Sequence, residues 1–557
     1  EVRRRGIYNS IRTCLKIPLR LCASHIATSP SQGRITLFMI RVMLSFVQNR
    51  DQSMNKKTFT LKPGELNLAD LKLLMHGNYE LILAESSISN ILASREYLNQ
   101  AVKDDAVIYG VNTGFGLLAN KKINEQDLNK LQVNLILSHA TGVGKYLSSE
   151  VTRLILVLKI NTLAMGYSGV TLETIEELIN LYNQNVLPCI PEKGSVGASG
   201  DLAPLAHLVA PLIGYGEVLF ENNIISAKHW LEHTNRNPYS FASKEGLALL
   251  NGTQVTTALA VYSVLKLQQL FEATISVGAM AVDAIAGSRM PFHPLISKVR
   301  NQPGQIAIAE KLHKLLEGSE ILASHDRSLG KPCNKVQDPY SIRCQPQVVG
   351  ACWQQYEFSK KIIENEINAV TDNPLVFAED GQILFGGNFH AEPIGFAVDN
   401  LALVIAELGS ISERRIALLV DPNFSGLPAF LVKNSGLNSG FMIAQVTAAS
   451  LVSENKALAT PTVTDSIPTS ANQEDHVSMA TYGARRLTQM LENYAHIISI
   501  ELLAVAQGID LRRPLKSSKP VEKIISALRE LVSFYEEDRY FHQDLVNAAE
   551  FVLKYNF

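Results

Sequence analysis

Residues 194–207 read Gly-Ser-Val-Gly-Ala-Ser-Gly-Asp-Leu-Ala-Pro-Leu-Ala-His, and at the centre lies a tripeptide of small residues, Ala198-Ser199-Gly200. The plain reading is a glycine-rich turn ahead of a helix over Leu202–Leu212, with Asp201 as N-cap and Pro204 tolerated in the first turn. The same residues also permit chemistry of the backbone itself. In a compressed loop the nitrogen of Gly200 can attack the carbonyl carbon of Ala198, and a glycine there carries no Cβ to block the approach. Ser199 can then lose its hydroxyl as water. Loss of two waters in all leaves a five-membered ring bearing an exocyclic methylidene, an electrophile built from main chain alone. A helix N-terminus beside it favours negative charge building on the ring. Asp201 either assists the closure or only caps the helix.

Other motifs fail on spacing. Gly142-Val143-Gly144-Lys145 lacks the earlier glycine of a phosphate loop, and Tyr146 follows the lysine. Gly197-Ala198-Ser199-Gly200-Asp201 ends in Asp where a nucleophile elbow needs Gly. Cys333, Cys344 and Cys352 are not at zinc spacing and no His-Glu-x-x-His occurs, so no metal site is expected.

Five more segments accompany the tripeptide. They are Ala106–Gly116 (Ala-Val-Ile-Tyr-Gly-Val-Asn-Thr-Gly-Phe-Gly), Glu245–Gln254 (Glu-Gly-Leu-Ala-Leu-Leu-Asn-Gly-Thr-Gln), Gln337–Gln347 (Gln-Asp-Pro-Tyr-Ser-Ile-Arg-Cys-Gln-Pro-Gln), Gly386–Pro393 (Gly-Gly-Asn-Phe-His-Ala-Glu-Pro) and Ser466–Ala480. With the tripeptide they resemble, in order, the motifs of the aromatic amino acid ammonia-lyases, over roughly residues 56–510. The resemblance implies a 4-methylidene-imidazole-5-one (MIO) group formed from Ala198, Ser199 and Gly200, with no dissociable cofactor. It makes Tyr109, on a loop with Gly110, Gly114 and Gly116, an acid or base that closes over the substrate. Asn251 is implied to donate toward the ring carbonyl or to hold the substrate amine. Gln337, Tyr340 and Phe389 match residues around the substrate ring, with Tyr340 also a candidate in proton transfer. The guanidinium fork of Arg343 suits the substrate carboxylate. Glu454 is expected one layer behind the site.

Two positions address the substrate. Members acting on tyrosine or phenylalanine usually carry His-Leu or Phe-Leu where this chain has Ser138-His139. A hydrocarbon ring needs an apolar wall, whereas an imidazole has two nitrogens that need partners, and His139 offers one. Glu474 stands where phenylalanine-type members have a neutral amide; a carboxylate against a benzene ring would be costly, and against an imidazole it has a partner. The resemblance therefore implies non-oxidative conversion of L-histidine to trans-urocanate and ammonia, with Tyr109 and Glu474 both candidates for the base. The competing readings are a lyase or aminomutase of the same family acting on another amino acid, and a non-catalytic helical assembly protein.

The elements that must position these residues are mainly helical. Periodicity gives helices over Tyr79–Val102 and Ile123–Leu137, two more in Ser149–Asn185 broken near Gly166 and Gly169, and a hairpin over Gly216–Ala227 turning at Glu221-Asn222-Asn223. Phe389–Val420 and Gln473–Gln507 read as long helices, apolar around much of their circumference, so other helices must cover them in this chain or a neighbouring subunit. The expected fold is mainly α: a large bundle of long helices with a smaller mixed N-terminal region, resembling the ammonia-lyase/fumarase-like fold. The expected division is a basic extension over 1–53, disordered or not native, a region 54–265 carrying the tyrosine loop and the tripeptide, and a bundle 266–557. The extension holds nine Arg or Lys against Glu1 within its first fifty residues. The whole chain, 557 residues, balances 51 basic against 53 acidic side chains, and so lacks the basic excess that nucleic-acid binding needs. The leading uncharged candidate for a membrane span, Gly246–Leu265, contains Asn251, Thr253, Gln254, Thr256 and Thr257 and reads as buried core. Six cysteines without regular spacing fit a reducing cytoplasm. The family resemblance adds a homotetramer whose active sites are shared between subunits.

Overall fold

The computed structural model describes residues 56–104, 106–114, 120–121, 123–325, 330 and 336–557. The expected extension, Gly116 and Cys333 lie outside them. By compactness the chain forms two units. One comprises residues 1–59 and 78–80, of which 56–59 and 78–80 are described. The other, residues 60–77 and 81–557, contains every element that bears on the site.

Helices dominate. The elements that bear on the site are α1 (Leu128–His139), strand β1 (Val143–Tyr146), β2 (Pro191–Lys193), α2 (Leu202–Val209), α3 (Glu245–Leu250), α4 (Gln254–Ala284), α5 (Tyr340–Arg343), α6 (Gln345–Ile367), α7 (Glu392–Val420), α8 (Met442–Leu458) and α9 (Ala480–Asp510). α4 and α9 have 31 residues each, about 45 Å at 1.5 Å per residue. α7 packs against α9, α9 against α4, and α6 against α7. Most side chains of α4 are buried along its whole length, which is why the helix shows no polar stripe in sequence. The dividing point at 265 falls within this helix.

Two buried ion pairs cross the bundle. Arg415 of α7 meets Glu501 of α9 with neither side chain exposed, its Nη2 donating to Oε2 at 2.8 Å. Arg486 of α9 meets Asp399 of α7, which also accepts from the Thr462 and Val463 amides at 2.7 and 2.9 Å. Removing one member of such a pair would strand the other.

Several expected helices begin later than their sequence patterns. The helix read over Tyr79–Val102 starts only at Ile88, because Tyr79–Leu83 is a strand. Ile123–Leu137 becomes a short 3₁₀ turn, Glu125–Asp127, followed by α1. The helices on either side of Gly166 and Gly169, Ser149–Ala164 and Leu172–Asn183, and the hairpin Glu217–Phe220/Asn223–Ser226, lie where expected. α7 begins at Glu392 and α9 at Ala480, later than their apolar patterns. Among the described residues, α7 alone is long and apolar enough to cross a membrane by length and composition, and 72% of its most apolar window is buried within the protein.

Candidate active site

The tripeptide sits in a loop clamped on three sides. β2, paired antiparallel with β1, delivers the chain to Gly194, and Gly194, Gly197 and Gly200 adopt φ of +138°, +67° and +76°. Ser195 closes the base of the loop: its Oγ accepts from the Gly197 amide at 3.2 Å and donates to Asp201 Oδ1 at 3.0 Å. On one flank the Asp201 amide donates to the Gly252 carbonyl at 2.7 Å. On the other, the Met479 amide donates to the Val196 carbonyl at 2.9 Å and Ser478 Oγ to the Gly197 carbonyl at 3.1 Å.

Asp201 does not cap α2. Its side chain makes no N-cap hydrogen bond and turns inward. It is fully buried and accepts from the Thr256 amide at 2.7 Å, Thr256 Oγ1 at 2.8 Å and Thr481 Oγ1 at 2.7 Å, as well as from Ser195. The carboxylate thus ties the loop to the starts of α4 and α9. Burial pushes its pKa up, against the hydrogen bonds that hold the anion.

Asn251, the residue after α3, points its amide at the loop: Nδ2 donates to the Ser199 carbonyl at 2.7 Å, while its buried Oδ1 has no partner among the described residues. Behind it, the fully buried Lys159 donates to the Asn251 carbonyl at 2.7 Å and to Gln254 Oε1 at 3.2 Å. Burial lowers the Lys159 pKa to about 7, opposed by the charge of Asp372. Asp372 itself pairs with buried Lys244 at 2.6 Å. Nothing in the spacing around Lys159 marks it as part of the site; its one signal is a lysine inside the apolar run Leu154–Ala164.

In front of the loop opens a cavity of about 1230 Å³. Tyr109, His139, Ala198, Ser199, Asn251, Phe389 and Glu474 all line it. Ser199 Oγ donates to Glu474 Oε1 at 2.5 Å, and Thr469 Oγ1 donates to the other carboxylate oxygen at 2.7 Å. Glu474 is carried on a tight loop in which Ser470, Ala471 and Asn472 have φ of +50°, +53° and +66°. Three consecutive non-glycine residues in the left-handed region are strained, a cost that active sites often carry. His139 ends α1; its Nδ1 lies 2.8 Å from the Leu135 carbonyl, so the ring is held with Nδ1 as donor and Nε2 as acceptor. Burial lowers the His139 pKa, which keeps the ring neutral; the backbone hydrogen bond and the charge of Glu474 oppose this. Tyr109 is half-buried on a turn organised by Asn112, whose Oδ1 accepts from the Ile108 amide at 2.8 Å and whose Nδ2 donates to the Ala106 carbonyl at 2.7 Å.

Three expected residues stand apart. Gln337, Tyr340 and Arg343 do not line this cavity. Tyr340 is 72% exposed at the start of α5, and the Arg343 guanidinium lies 4.6 Å from the centre of its ring. Glu454 also lies away from the cavity and accepts from Gln489 Nε2 at 2.6 Å. Two residues that sequence reasoning passes over do line it: His390 and His476, whose rings stack at 5.9 Å with an interplanar angle of 9°.

A family model described as aromatic amino acid lyase matches residues 66–530. The chain belongs to the aromatic amino acid lyase family. Within that family it is 54% identical over 489 residues to histidine ammonia-lyase of Photobacterium profundum, covering 88% of this chain and 95% of the relative. It is 52% identical over 499 residues to histidine ammonia-lyase of Legionella pneumophila, covering 90% and 98%. Among solved structures, histidine ammonia-lyase from Trypanosoma cruzi superposes with a TM-score of 0.82 at 40% identity, covering 89% of this chain and 93% of that one. A tyrosine aminomutase from Streptomyces globisporus reaches 0.83 at 34% identity, covering 88% and 96%. The helical lyase fold thus serves more than one outcome, and the choice rests on the residues of the cavity.

Proposed function

We propose that the protein converts L-histidine to trans-urocanate and ammonia, with an MIO ring formed from Ala198, Ser199 and Gly200. The observation that carries this reading is the meeting of His139 and Glu474 on the cavity whose floor is Ser199. Two polar groups suited to an imidazole face the loop, where an apolar wall would suit a phenyl ring. The similarity to histidine ammonia-lyases over most of the chain supports the same substrate.

The residues present fit the ring. A Cβ on Gly200 would lie 2.3 Å from the Gly252 carbonyl oxygen, so only glycine enters the compressed geometry. The carbonyl of Ser199 already accepts from Asn251, and Asn251 Oδ1 is buried with a free acceptor position. Once formed, the ring supplies an electron sink that no side chain of the cavity offers.

The chain's own residues do the rest. Loss of the Ser199 hydroxyl takes away the donor that Glu474 Oε1 holds, leaving a carboxylate oxygen free to accept from a substrate imidazole N–H or to take the β-proton. His139, kept neutral by burial, presents Nε2 as an acceptor for the imidazole. Tyr109, on the same cavity, is the second group placed to move a proton. Phe389 closes the apolar side. Gln337, Tyr340 and Arg343 act on the cavity of a neighbouring subunit in a homotetramer, Arg343 holding the substrate carboxylate. Exposed Phe396 and Leu403 on α7 and Ile443 and Val446 on α8 support such packing. The proposed setting is the cytoplasm, with neither nucleic acid nor membrane as partner.

The test is to incubate the purified protein separately with L-histidine, L-phenylalanine and L-tyrosine, following ammonia and the conjugated ultraviolet-absorbing product. Turnover of histidine alone is expected. Consumption of phenylalanine or tyrosine with histidine untouched would overturn the reading.

A further inference from the structure

The segment that carries His139 is joined to the ring loop at a point that the reaction itself does not use. We propose that His207 is a positioning residue, acting through the Gly142 amide to hold the His139 segment beside the ring loop and thereby setting how tightly a substrate imidazole is bound. This rests on the histidine reading above.

His207 lies on α2, the helix that leaves the ring loop at Asp201. Its Nε2 accepts a hydrogen bond from the Gly142 amide at 3.0 Å. Gly142 follows His139 by three residues, across a turn closed by the Thr141 amide and the His139 carbonyl at 2.8 Å. The fit is close on both sides. A Cβ on Gly142 would lie 3.2 Å from His207 Cδ2 and Nε2 and from the Lys193 carbonyl oxygen, and a Cβ on Gly194 would lie 3.2 Å from Gly142 Cα. The backbone at 142 is therefore wedged between α2 and the entry to the ring loop.

The β1–β2 pairing also links the two segments, and it is weak as a ruler. All four residues of β1 are exposed, and the register shifts between Val143↔Lys193 and Tyr146↔Pro191. An irregular, solvated ladder fixes position poorly. The half-buried bond from Gly142 to His207 supplies the missing constraint. To accept at Nε2 the imidazole must be neutral with its proton on Nδ1. Burial favours that form by lowering the His207 pKa. One helix thus carries both the end of the ring loop and the pin for the residue that reads the substrate.

The experiment compares His207→Phe, which keeps a ring and removes the acceptor, with His207→Gln, which places an amide near the Nε2 position, in the full-length protein. Steady-state kinetics with L-histidine are read alongside amide hydrogen exchange at Gly142 and the mass of the peptide containing residues 198–200. For His207→Phe we expect KM to rise roughly tenfold with kcat within about twofold, the scale of one lost hydrogen bond. Exchange at Gly142 should accelerate and the peptide should still be two waters light. His207→Gln should restore both KM and protection. Wild-type KM and exchange in His207→Phe would overturn the proposal. So would an equal fall in kcat and thermal stability in both variants, the mark of a merely structural residue. If His207→Phe does not fold, His207→Ala, which removes the acceptor without adding volume, carries the test: a raised KM with kcat retained supports the pin, and a wild-type KM overturns it. Wild-type protein that ignores histidine would sink the substrate reading instead, while the exchange comparison would still decide whether the pin exists.

Discussion

Gly200→Ala puts the geometry of the ring loop under the most direct stress. Gly200 has φ +76°, in the left-handed region, where an L side chain costs about 1–2 kcal/mol. The added methyl would also lie 2.3 Å from the Gly252 oxygen and 2.6 Å from its carbon and nitrogen. Gly252 is held in place, since its oxygen accepts from the Asp201 amide at 2.7 Å, and a Cβ added to Gly252 itself would lie 2.5 Å from Gln254 Oε1 and 2.8 Å from Thr371 Oγ1. Forcing one carbon into a packed site costs about 1–3 kcal/mol more. The compressed loop should therefore be destabilised by about 2–5 kcal/mol relative to an open one. At tenfold per 1.4 kcal/mol, its population falls roughly 30-fold to several-thousand-fold. Ring closure needs that population, so the yield of protein two waters lighter should fall in proportion. Intact mass at fixed times after synthesis reads this yield, and far-ultraviolet circular dichroism checks that the long helices remain. A Gly200→Ala protein that matures fully and at the wild-type rate would show that the compressed loop does not require glycine at 200.

Other consequences follow from the cavity and the charges behind it. His139→Leu should raise KM for L-histidine about tenfold and admit larger apolar side chains; an unchanged preference in competition assays would remove His139 from the specificity argument. Glu474→Gln should lower kcat/KM for histidine at least about tenfold, the scale of a hydrogen bond to a charged group, with the chromophore of the ring retained; comparing Tyr109→Phe in the same assay and in β-proton exchange shows which group takes the proton. Burial holds the Lys159 pKa at about 7, below its ordinary 10.5, so between those values the folded chain binds fewer protons than the unfolded one. This group's contribution to stability therefore rises with pH across that window. Denaturant unfolding of wild type against Lys159→Met should diverge with pH in that sense, and parallel curves would contradict the buried, partly neutral ammonium.

The residue types at 194–200 permit the proposed ring chemistry without singling it out, since the same run reads as a glycine-rich turn ahead of a helix; the five accompanying motifs in family order are what favour it. The role of Asp201 is not legible in sequence. A carboxylate ahead of a helix looks like a cap, and only the fold brings Thr256 and Thr481, 55 and 280 residues away, to turn it inward. The long helices are visible as apolar runs, yet their starts are not: residues just before Glu392 and Ala480 have helical composition but are recruited to the cavity, as Phe389, Glu474 and His476 show. Positive φ at Ser470, Ala471 and Met479 leaves no trace in side chains that normally avoid it. Arg343 and Tyr340 are legible through family resemblance, and a single chain places them away from the cavity they are proposed to serve.

In the proposed reaction a stretch of main chain becomes the electrophile. The mass of the proteolytic peptide containing Ala198-Ser199-Gly200, taken from freshly purified protein that turns over L-histidine, tests it directly. A peptide two waters lighter than its sequence is predicted, and the full mass should return in Ser199→Ala together with loss of turnover. A peptide of unaltered mass from active wild-type protein would contradict the account.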